Sequence, residues 1–174
     1  GERLDDALLY VRQALEYFAG IGAPPSGLEA TLNGGKLGSV TSLSDERDTL
    51  AGRYTHHYPI CIRKVLPDDT LITMASGTKV VYAISLISYE SPHDRGGFLD
   101  CMRTLAYAMA ARFGARPHWG KVCPLDAETL AEVFPGLSEF ADLCRARDPD
   151  QRFANEWVRS HVLGTVANAD VDHR

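Results

Sequence analysis

Residues 116–121, which read RPHWGK, hold the side chains most able to do chemistry. They bring two cations, an imidazole (His118) and an indole (Trp119) together directly after a segment with helical periodicity. A cation held against a substrate oxygen stabilises negative charge that develops there, so Lys121 is the first catalytic candidate. The alternatives are an exposed lysine after a turn, a structural histidine and, for Trp119, an anchor in the core or between domains.

A second chemical pair, Cys61 and Arg63, lies in a segment whose composition predicts a strand over residues 58–66. Because side chains alternate along a strand, the two fall on the same face. One hypothesis is a thiol enzyme that uses Cys61 with His56 or His57, which requires a thiol that reacts well below about pH 8.5. Adjacent histidines on an extended chain point to opposite faces, and none of the four cysteines forms a C-x-x-C pair. The sequence therefore predicts no metal site.

Two long helices are predicted from apolar residues that recur every three or four positions. The first covers residues 4–18 and ends near Gly20. The second covers residues 98–113, with Gly114 where a C-cap belongs.

Shorter elements are predicted in the last third of the chain. Asp126 is the expected N-cap of a helix that ends at Val133, and Ser138 is the expected cap of the next helix. Residues 153–162 predict a final helix, at whose start Asn155 makes a cap or a backbone hydrogen bond.

The strands and turns complete the expected architecture. Residues 79–89 are apolar and β-branched on both faces, which predicts an inner strand. A turn is expected at Asp68 and Asp69, a short strand or turn over residues 116–122, and a turn or hairpin at residues 34–35. Strands that alternate with segregated helices predict an α+β domain with an antiparallel sheet.

Bulk properties narrow the class of protein. The 174 residues suffice for one domain with a sizeable core. The net charge of −5 argues against a nucleic-acid-binding or anionic-membrane surface, and no apolar run approaches the roughly 20 residues of a membrane helix. A reduced, cytoplasmic protein is the expectation. Residues 1–4 contain no initiator Met and do not resemble a signal peptide, so we expect a fragment or a processed chain.

Three spaced patterns together resemble the C-terminal part of the sugar-lactone and alditol oxidases, FAD-linked enzymes of the vanillyl-alcohol-oxidase superfamily that include the D-arabinono-1,4-lactone oxidases. The family patterns are R-P-H-W-x-K, an aromatic–Pro pair with a later Phe, and R-x-x-D-P-x-x-x-F-x-N, found here at residues 116–121, 134–140 and 145–155. The resemblance covers residues 58–164. It implies the family's cap domain, an antiparallel sheet flanked by helices. Residues 1–57 are then a helix and a loop or hairpin region of the same domain, and residues 165–174 a polar tail.

The resemblance also implies roles for single residues. It places Lys121 in the active site opposite the flavin, as a catalytic and cofactor-binding residue, and makes Asn155 a second cofactor-binding candidate. Arg63 would be catalytic and orient substrate hydroxyls or a carbonyl, with His118 and Cys61 as substrate-binding candidates. The family pattern P-x-E-x-R has glutamate where this chain has Cys61. A thiol does not replace a carboxylate as a strong hydrogen-bond acceptor unless it is ionised.

The function that the resemblance implies is oxidation of an alcohol carbon of a sugar lactone, polyol or related compound, by hydride transfer to FAD. We expect FAD to be bound mainly by a domain that is absent from these 174 residues and that is supplied in cis or in trans. This fragment alone would then be inactive. The alternative is a redox-inactive α+β binding or assembly module, derived from such a cap domain, with an exposed apolar patch or a homodimer at the former docking face.

Overall fold

The computed structural model describes residues 2–29, 43–52, 59–77, 79–88 and 95–164. These ranges confirm the predicted α+β class, with antiparallel strands flanked by helices. Residues 34–35, His56, His57 and the tail 165–174 lie outside the described residues, so the predictions made for them stay open. In chain order the elements are α1 (Glu2–Phe18), α2 (Leu43–Leu50), β1 (Cys61–Val65), β2 (Val81–Ser85), α3 (Arg95–Phe113), α4 (Ala127–Val133), α5 (Leu137–Arg147) and a π-helical turn (Val158–Val162).

Helices α1 and α3 form the centre of the core, as their apolar periodicity predicts. Their ends also lie where the glycines predict. Gly20 and Gly114 have φ angles of 86° and 63°, a region that side chains disfavour, and they close α1 and α3. The buried apolar residues of the two helices include Tyr10, Val11, Ala14, Phe18, Cys101, Leu105 and Ala108. This packing fixes the end of α3, and residues 116–121 follow it directly.

The sheet of the described residues consists of β1 and β2, which pair antiparallel with Cys61 opposite Ser85 and Arg63 opposite Ala83. The prediction of an inner strand over residues 79–89 is wrong for this part of the chain. Within the described ranges β2 has β1 as its one partner strand, and Ala83 is exposed while its neighbours are half-buried. A run of β-branched residues does not by itself show how many strands cover it, because that depends on distant segments.

The C-terminal elements follow the capping pattern in part. Asp126 accepts a hydrogen bond from the Thr129 backbone N–H at 2.7 Å and caps α4, as predicted. The prediction for Ser138 is wrong, because α5 begins one residue earlier and its N-cap is Gly136, which has no side chain to offer. Residues 116–122 form a turn and contain no strand. The final helix is shorter than predicted and ends in the π-helical turn, where Leu163 N–H donates to Val158 O at 3.0 Å.

Candidate functional site

The turn at residues 118–121 is closed by its own backbone and by the His118 ring. Lys121 N–H donates to His118 O at 2.8 Å, and Gly120 N–H donates to His118 Nδ1 at 3.1 Å. Since Nδ1 accepts this bond, it carries no proton there, and a neutral ring holds its proton on Nε2. His118 is exposed, and no hydrogen bond to its Nε2 is found among the described residues.

Arg116, the first cation of this segment, holds the structure together. Its Nε donates to Val133 O at 2.6 Å, and one Nη donates to the carbonyl and the hydroxyl oxygens of Ser76 at 2.7 and 2.9 Å. The guanidinium lies over the Phe134 ring, 5.5 Å from its centroid. Burial lowers the pKa of Arg116 from its usual value. Two of its three nitrogens are thus engaged by protein groups, and Arg116 has a structural role that the motif alone did not reveal.

Trp119 anchors the turn to a distant loop. Its indole N–H donates to Ile72 O at 3.0 Å, although 43% of the residue stays exposed. Its ring also borders an apolar cavity of about 100 Å³ between the turn, α4, α5 and the π-helical turn. The core or interdomain anchor proposed from the sequence agrees with this double contact. The cavity is lined by Ile72, Trp119, Leu130, Phe134, Leu137, Phe140, Trp157, Val158 and Val162.

Lys121 differs from Arg116 in that its side chain is exposed. Within the described ranges, no residue forms a hydrogen bond or an ion pair with its ammonium group. The backbone of Lys121 is fixed by the turn, while its charge remains available for a partner outside this part of the chain. This is the arrangement expected of a positioned, unneutralised cation.

Cys61 and Arg63 lie on one face of β1, as predicted from their spacing. The half-buried Cys61 thiol donates a weak hydrogen bond to Pro59 O at 3.7 Å. Arg63 is exposed and has no hydrogen-bond or ion-pair partner among the described residues. The small side chains of Ala83 and Ser85 lie opposite on the same face. Among the described residues, Arg63 therefore faces no large side chain across the strand pair.

The segment that follows α5 is a turn held by one carboxylate. Asp148 accepts backbone N–H bonds from Arg152 and Phe153, each at 2.8 Å, and Gln151 adopts a φ of 52° within the turn. Asn155 Oδ1 then accepts from Val158 N–H at 2.8 Å, which confirms the predicted cap at the start of the last helix. Phe153 emerges from this rigid turn 90% exposed.

The candidate residues therefore lie on three supports: β1, the turn at residues 118–121 and the turn after α5. In the described part of the chain, no hydrogen bond or ion pair joins Lys121 to Arg63, Cys61 or Asn155. Their assignments to catalysis, substrate or cofactor stay predictions.

Other classes of site gain no support from the described residues. Among them, no three His, Cys, Asp or Glu side chains are close enough to hold a metal ion together. Their helices also include none long and apolar enough to cross a membrane. All four cysteines are free thiols. Burial raises the pKa of Cys123, which makes that thiol a poor nucleophile.

The sequence interpretation missed the residue that organises the loop beneath the turn. Asp68 was predicted only as one of two turn residues. Its carboxylate accepts hydrogen bonds from Thr70 and Thr73, and the same loop accepts the bonds of Arg116 and Trp119. The D-x-T spacing at Asp68 is the available signal, because such aspartates bond the backbone two residues onward.

Comparison with known proteins gives a consistent set of relatives. The family model described as D-arabinono-1,4-lactone oxidase matches residues 35–161. A long-chain alcohol oxidase of an uncultured marine euryarchaeote is 41% identical over 90% of this chain and 32% of its own length. A Streptomyces alditol oxidase is 33% identical over 59% of the chain and 24% of its own length. A Mycobacterium tuberculosis L-gulono-1,4-lactone dehydrogenase is 34% identical over 62% of the chain and 23% of its own length.

These matches confirm the resemblance to sugar-lactone and alditol oxidases that the three motifs predicted. The chain spans about a third or less of the length of these curated relatives. No solved structure matches the chain.

Proposed function

This chain belongs to the D-arabinono-1,4-lactone oxidase family, and from this premise we propose that it is the substrate-binding, or cap, part of an FAD-dependent oxidoreductase. The reaction proposed is oxidation of an alcohol carbon by hydride transfer. The observation that carries the proposal is Lys121. Its backbone is fixed in a closed turn while its ammonium group has no partner among the described residues.

The donor set of the described residues fits a flavin. FAD, when bound, accepts the hydride that leaves the alcohol carbon. Hydride uptake adds negative charge to the flavin. The exposed ammonium group of Lys121 would stabilise this charge. Asn155 is the second residue proposed to contact the cofactor, through its amide nitrogen, because its Oδ1 already caps the last helix.

Substrate binding falls to β1 and to His118. Arg63 presents a planar fork of donors that have no partner among the described residues, which suits a substrate hydroxyl or carbonyl oxygen. His118 accepts at Nδ1, so its neutral ring offers Nε2–H to a substrate oxygen and acts as a donor. Cys61 contributes a thiol on the same strand face as Arg63. The Arg63 guanidinium and the His118 Nε2–H are donors, so neither supplies a base.

The substrate proposed is an alcohol with fewer hydroxyl contacts than a typical sugar acid lactone needs. The position that carries a glutamate in the family pattern is Cys61, which removes a strong acceptor for substrate hydroxyls. The relative that is 41% identical is named a long-chain alcohol oxidase, which is consistent with a less polar substrate. We therefore propose primary or secondary alcohols, with polyols and lactones as poorer substrates.

The partner proposed is an FAD-binding domain in the same polypeptide or in a second one. Phe153 supports this docking, because a large aromatic side chain 90% exposed on a rigid turn is typical of an interface anchor. It stands two residues before Asn155, so the docked domain would bring the cofactor toward that amide. A boundary near residue 58 remains our proposal for the start of the substrate-binding part.

The experiment that tests this function is an absorption spectrum of the protein purified from its complete reading frame. Flavin bands, bleached when a substrate alcohol is added without oxygen, would support the oxidoreductase. A protein that stays colourless after incubation with FAD would refute it. If the protein carries flavin but no alcohol, polyol or lactone reduces that flavin, only the proposed substrate class would be refuted.

A redox-inactive binding or assembly module is the second candidate function. It is favoured by the exposed apolar residues around the two strands, of which Leu66 is 70% exposed, and by the thiol of Cys61. Such a patch suits a protein partner or a homodimer. The colourless outcome of the spectrum, together with a dimer in sedimentation analysis, would support this alternative.

A further inference from the structure

The loop between β1 and β2 is organised by a single carboxylate. Asp68 accepts hydrogen bonds from Thr70 N–H at 3.0 Å and from the Thr70 hydroxyl at 2.6 Å. The Thr73 hydroxyl lies 2.7 Å from each of the two carboxylate oxygens of Asp68. The loop is closed at its base, where Asp68 N–H donates to Ala75 O and Gly77 N–H donates to Asp68 O. We call residues 66–77 the Asp68 loop.

The Asp68 loop carries both attachment points of the segment that ends in Lys121. Arg116 donates to the carbonyl and hydroxyl oxygens of Ser76, and Trp119 donates to Ile72 O. The two acceptor residues, Ile72 and Ser76, lie on either side of Thr73 in the chain. Loss of the hydrogen bonds to Asp68 would therefore displace the acceptors of both Arg116 and Trp119. Lys121 follows Trp119 by two residues and is tied to it through the closed turn.

A third contact holds the loop against α5. At Gly136, the N-cap of α5, a β-carbon would lie 2.3 Å from Leu71 O. The backbone of the loop therefore packs directly on the start of this helix, next to the carbonyl that anchors Trp119. The loop is fixed from two sides: by Asp68 within and by α5 from outside.

We propose that Asp68 is a positioning residue for Lys121, which acts through the Asp68 loop and Trp119 without touching substrate or cofactor. The inference rests on the proposed function only where it concerns catalysis by Lys121. The contacts themselves are independent of any cofactor. Hydrogen bonds from the two threonines also hold the pKa of Asp68 below its usual range, so the carboxylate stays ionised and keeps accepting near neutral pH.

The test uses the intact flavoenzyme that contains this chain, with Asp68→Asn as the main variant. The amide is isosteric but loses one acceptor oxygen. Thr73→Val, which removes the hydroxyl between both carboxylate oxygens, is the second and milder variant. Asp69→Asn is the matched control, because Asp69 is the adjacent exposed carboxylate.

Flavin reduction in single turnovers is measured for each variant in the wild-type and in the Lys121→Met background. We expect Asp68→Asn to slow flavin reduction roughly tenfold and Asp69→Asn to leave the rate unchanged. A displacement of a catalytic group by about 1 Å can lower a rate by about a hundredfold, so a tenfold loss corresponds to a smaller shift of Lys121. In the Lys121→Met background the Asp68 substitution should change the rate by less than about twofold. Equal slowing in both backgrounds would show that Asp68 supports the fold generally, and would overturn the proposal.

A second measurement reports position without activity. In protein labelled with 5-fluorotryptophan, the ¹⁹F resonance of Trp119 is identified as the signal that Trp119→Phe removes. It should shift in Asp68→Asn and Thr73→Val and stay unchanged in Asp69→Asn. An unmoved resonance in both loop variants would refute the positioning role. If Lys121→Met reduces flavin at the normal rate, the proposed catalytic role of Lys121 fails separately, and the resonance alone decides whether Asp68 sets the turn.

Discussion

Gly136 is the position at which one methyl group tests the contact between α5 and the Asp68 loop. A β-carbon there would lie 2.3, 2.9 and 3.0 Å from the O, C and Cα atoms of Leu71. Ordinary contacts begin near 3.4 Å, so in Gly136→Ala the two segments must separate by about 1 Å. Rotation of a side chain does not relieve this clash, because all three neighbouring atoms belong to the backbone.

The magnitude follows from two opposed effects. Overpacking of this kind costs about 1–3 kcal/mol. The φ of Gly136 is −85°, which alanine adopts freely, so the substitution also gains roughly 0.4–1 kcal/mol from the reduced entropy of the unfolded chain. The expected net loss in the free energy of unfolding is about 1–2 kcal/mol.

The assay is urea unfolding of the intact protein at equilibrium, with Ser138→Ala as the control in the first turn of the same helix. Ser138 is exposed, and its substitution should change stability by less than about 0.5 kcal/mol. The ¹⁹F resonance of Trp119 should also shift in Gly136→Ala, because Leu71 precedes the carbonyl that binds the indole. A Gly136→Ala protein as stable as the wild type, with that resonance unmoved, would refute the close packing of loop and helix.

Four further predictions concern the candidate site and its supports. Lys121→Met should slow flavin reduction about tenfold or more in stopped flow while FAD stays bound; an unchanged rate would remove Lys121 from the mechanism. Cys61→Glu, which puts a carboxylate beside Arg63, should raise turnover of alditols and lactones relative to simple alcohols; no gain would mean that other residues set the specificity. Asp126→Ala should lower the free energy of unfolding by about 1 kcal/mol through loss of the α4 cap, as measured in urea. Because the pKa of Asp68 is lowered in the folded protein, its carboxylate stabilises the fold fully above the ordinary pKa of about 3.9. This stabilisation is lost as the pH falls through the lower pKa of the folded state. Unfolding midpoints of wild type and Asp68→Asn should therefore converge below about pH 4, and midpoints that stay equally far apart down to pH 2.5 would contradict this.

Local patterns predicted the elements whose cause is local. Gly20 and Gly114 end helices because only glycine adopts their backbone angles at little cost, and Asp126 caps α4 through a bond to a residue three positions on. The prediction that Ser138 caps α5 was wrong, because the sequence alone does not distinguish a serine at the N-cap from a serine within the first turn. The helix begins at Leu137, and the position just before it is glycine, where a β-carbon would clash with Leu71.

The contacts that build the site could not be predicted in this way. Arg116 and Ser76 are 40 residues apart, and Trp119 and Ile72 are 47 apart. No periodicity links such pairs, since they depend on how β1, α3 and α4 pack together. Within the described residues, the inner strand predicted over residues 79–89 has one neighbouring strand, because the number of neighbours is a property of the whole sheet and not of the strand's own sequence.

The two cations of residues 116–121 differ in their contacts, and this difference is why we propose only one of them for the chemistry. Arginine carries five donors in a fixed fork, and Arg116 uses this fork to join Val133 and Ser76. Lysine is a compact charge on a flexible stem, which fits a site where negative charge appears only during the reaction. The half-buried Arg116 thus holds the turn, while Lys121 is exposed and is the residue that we propose for the reaction. We propose that this turn supports one reactive group, Lys121, and that the face of β1 that carries Cys61 and Arg63 sets the identity of the substrate.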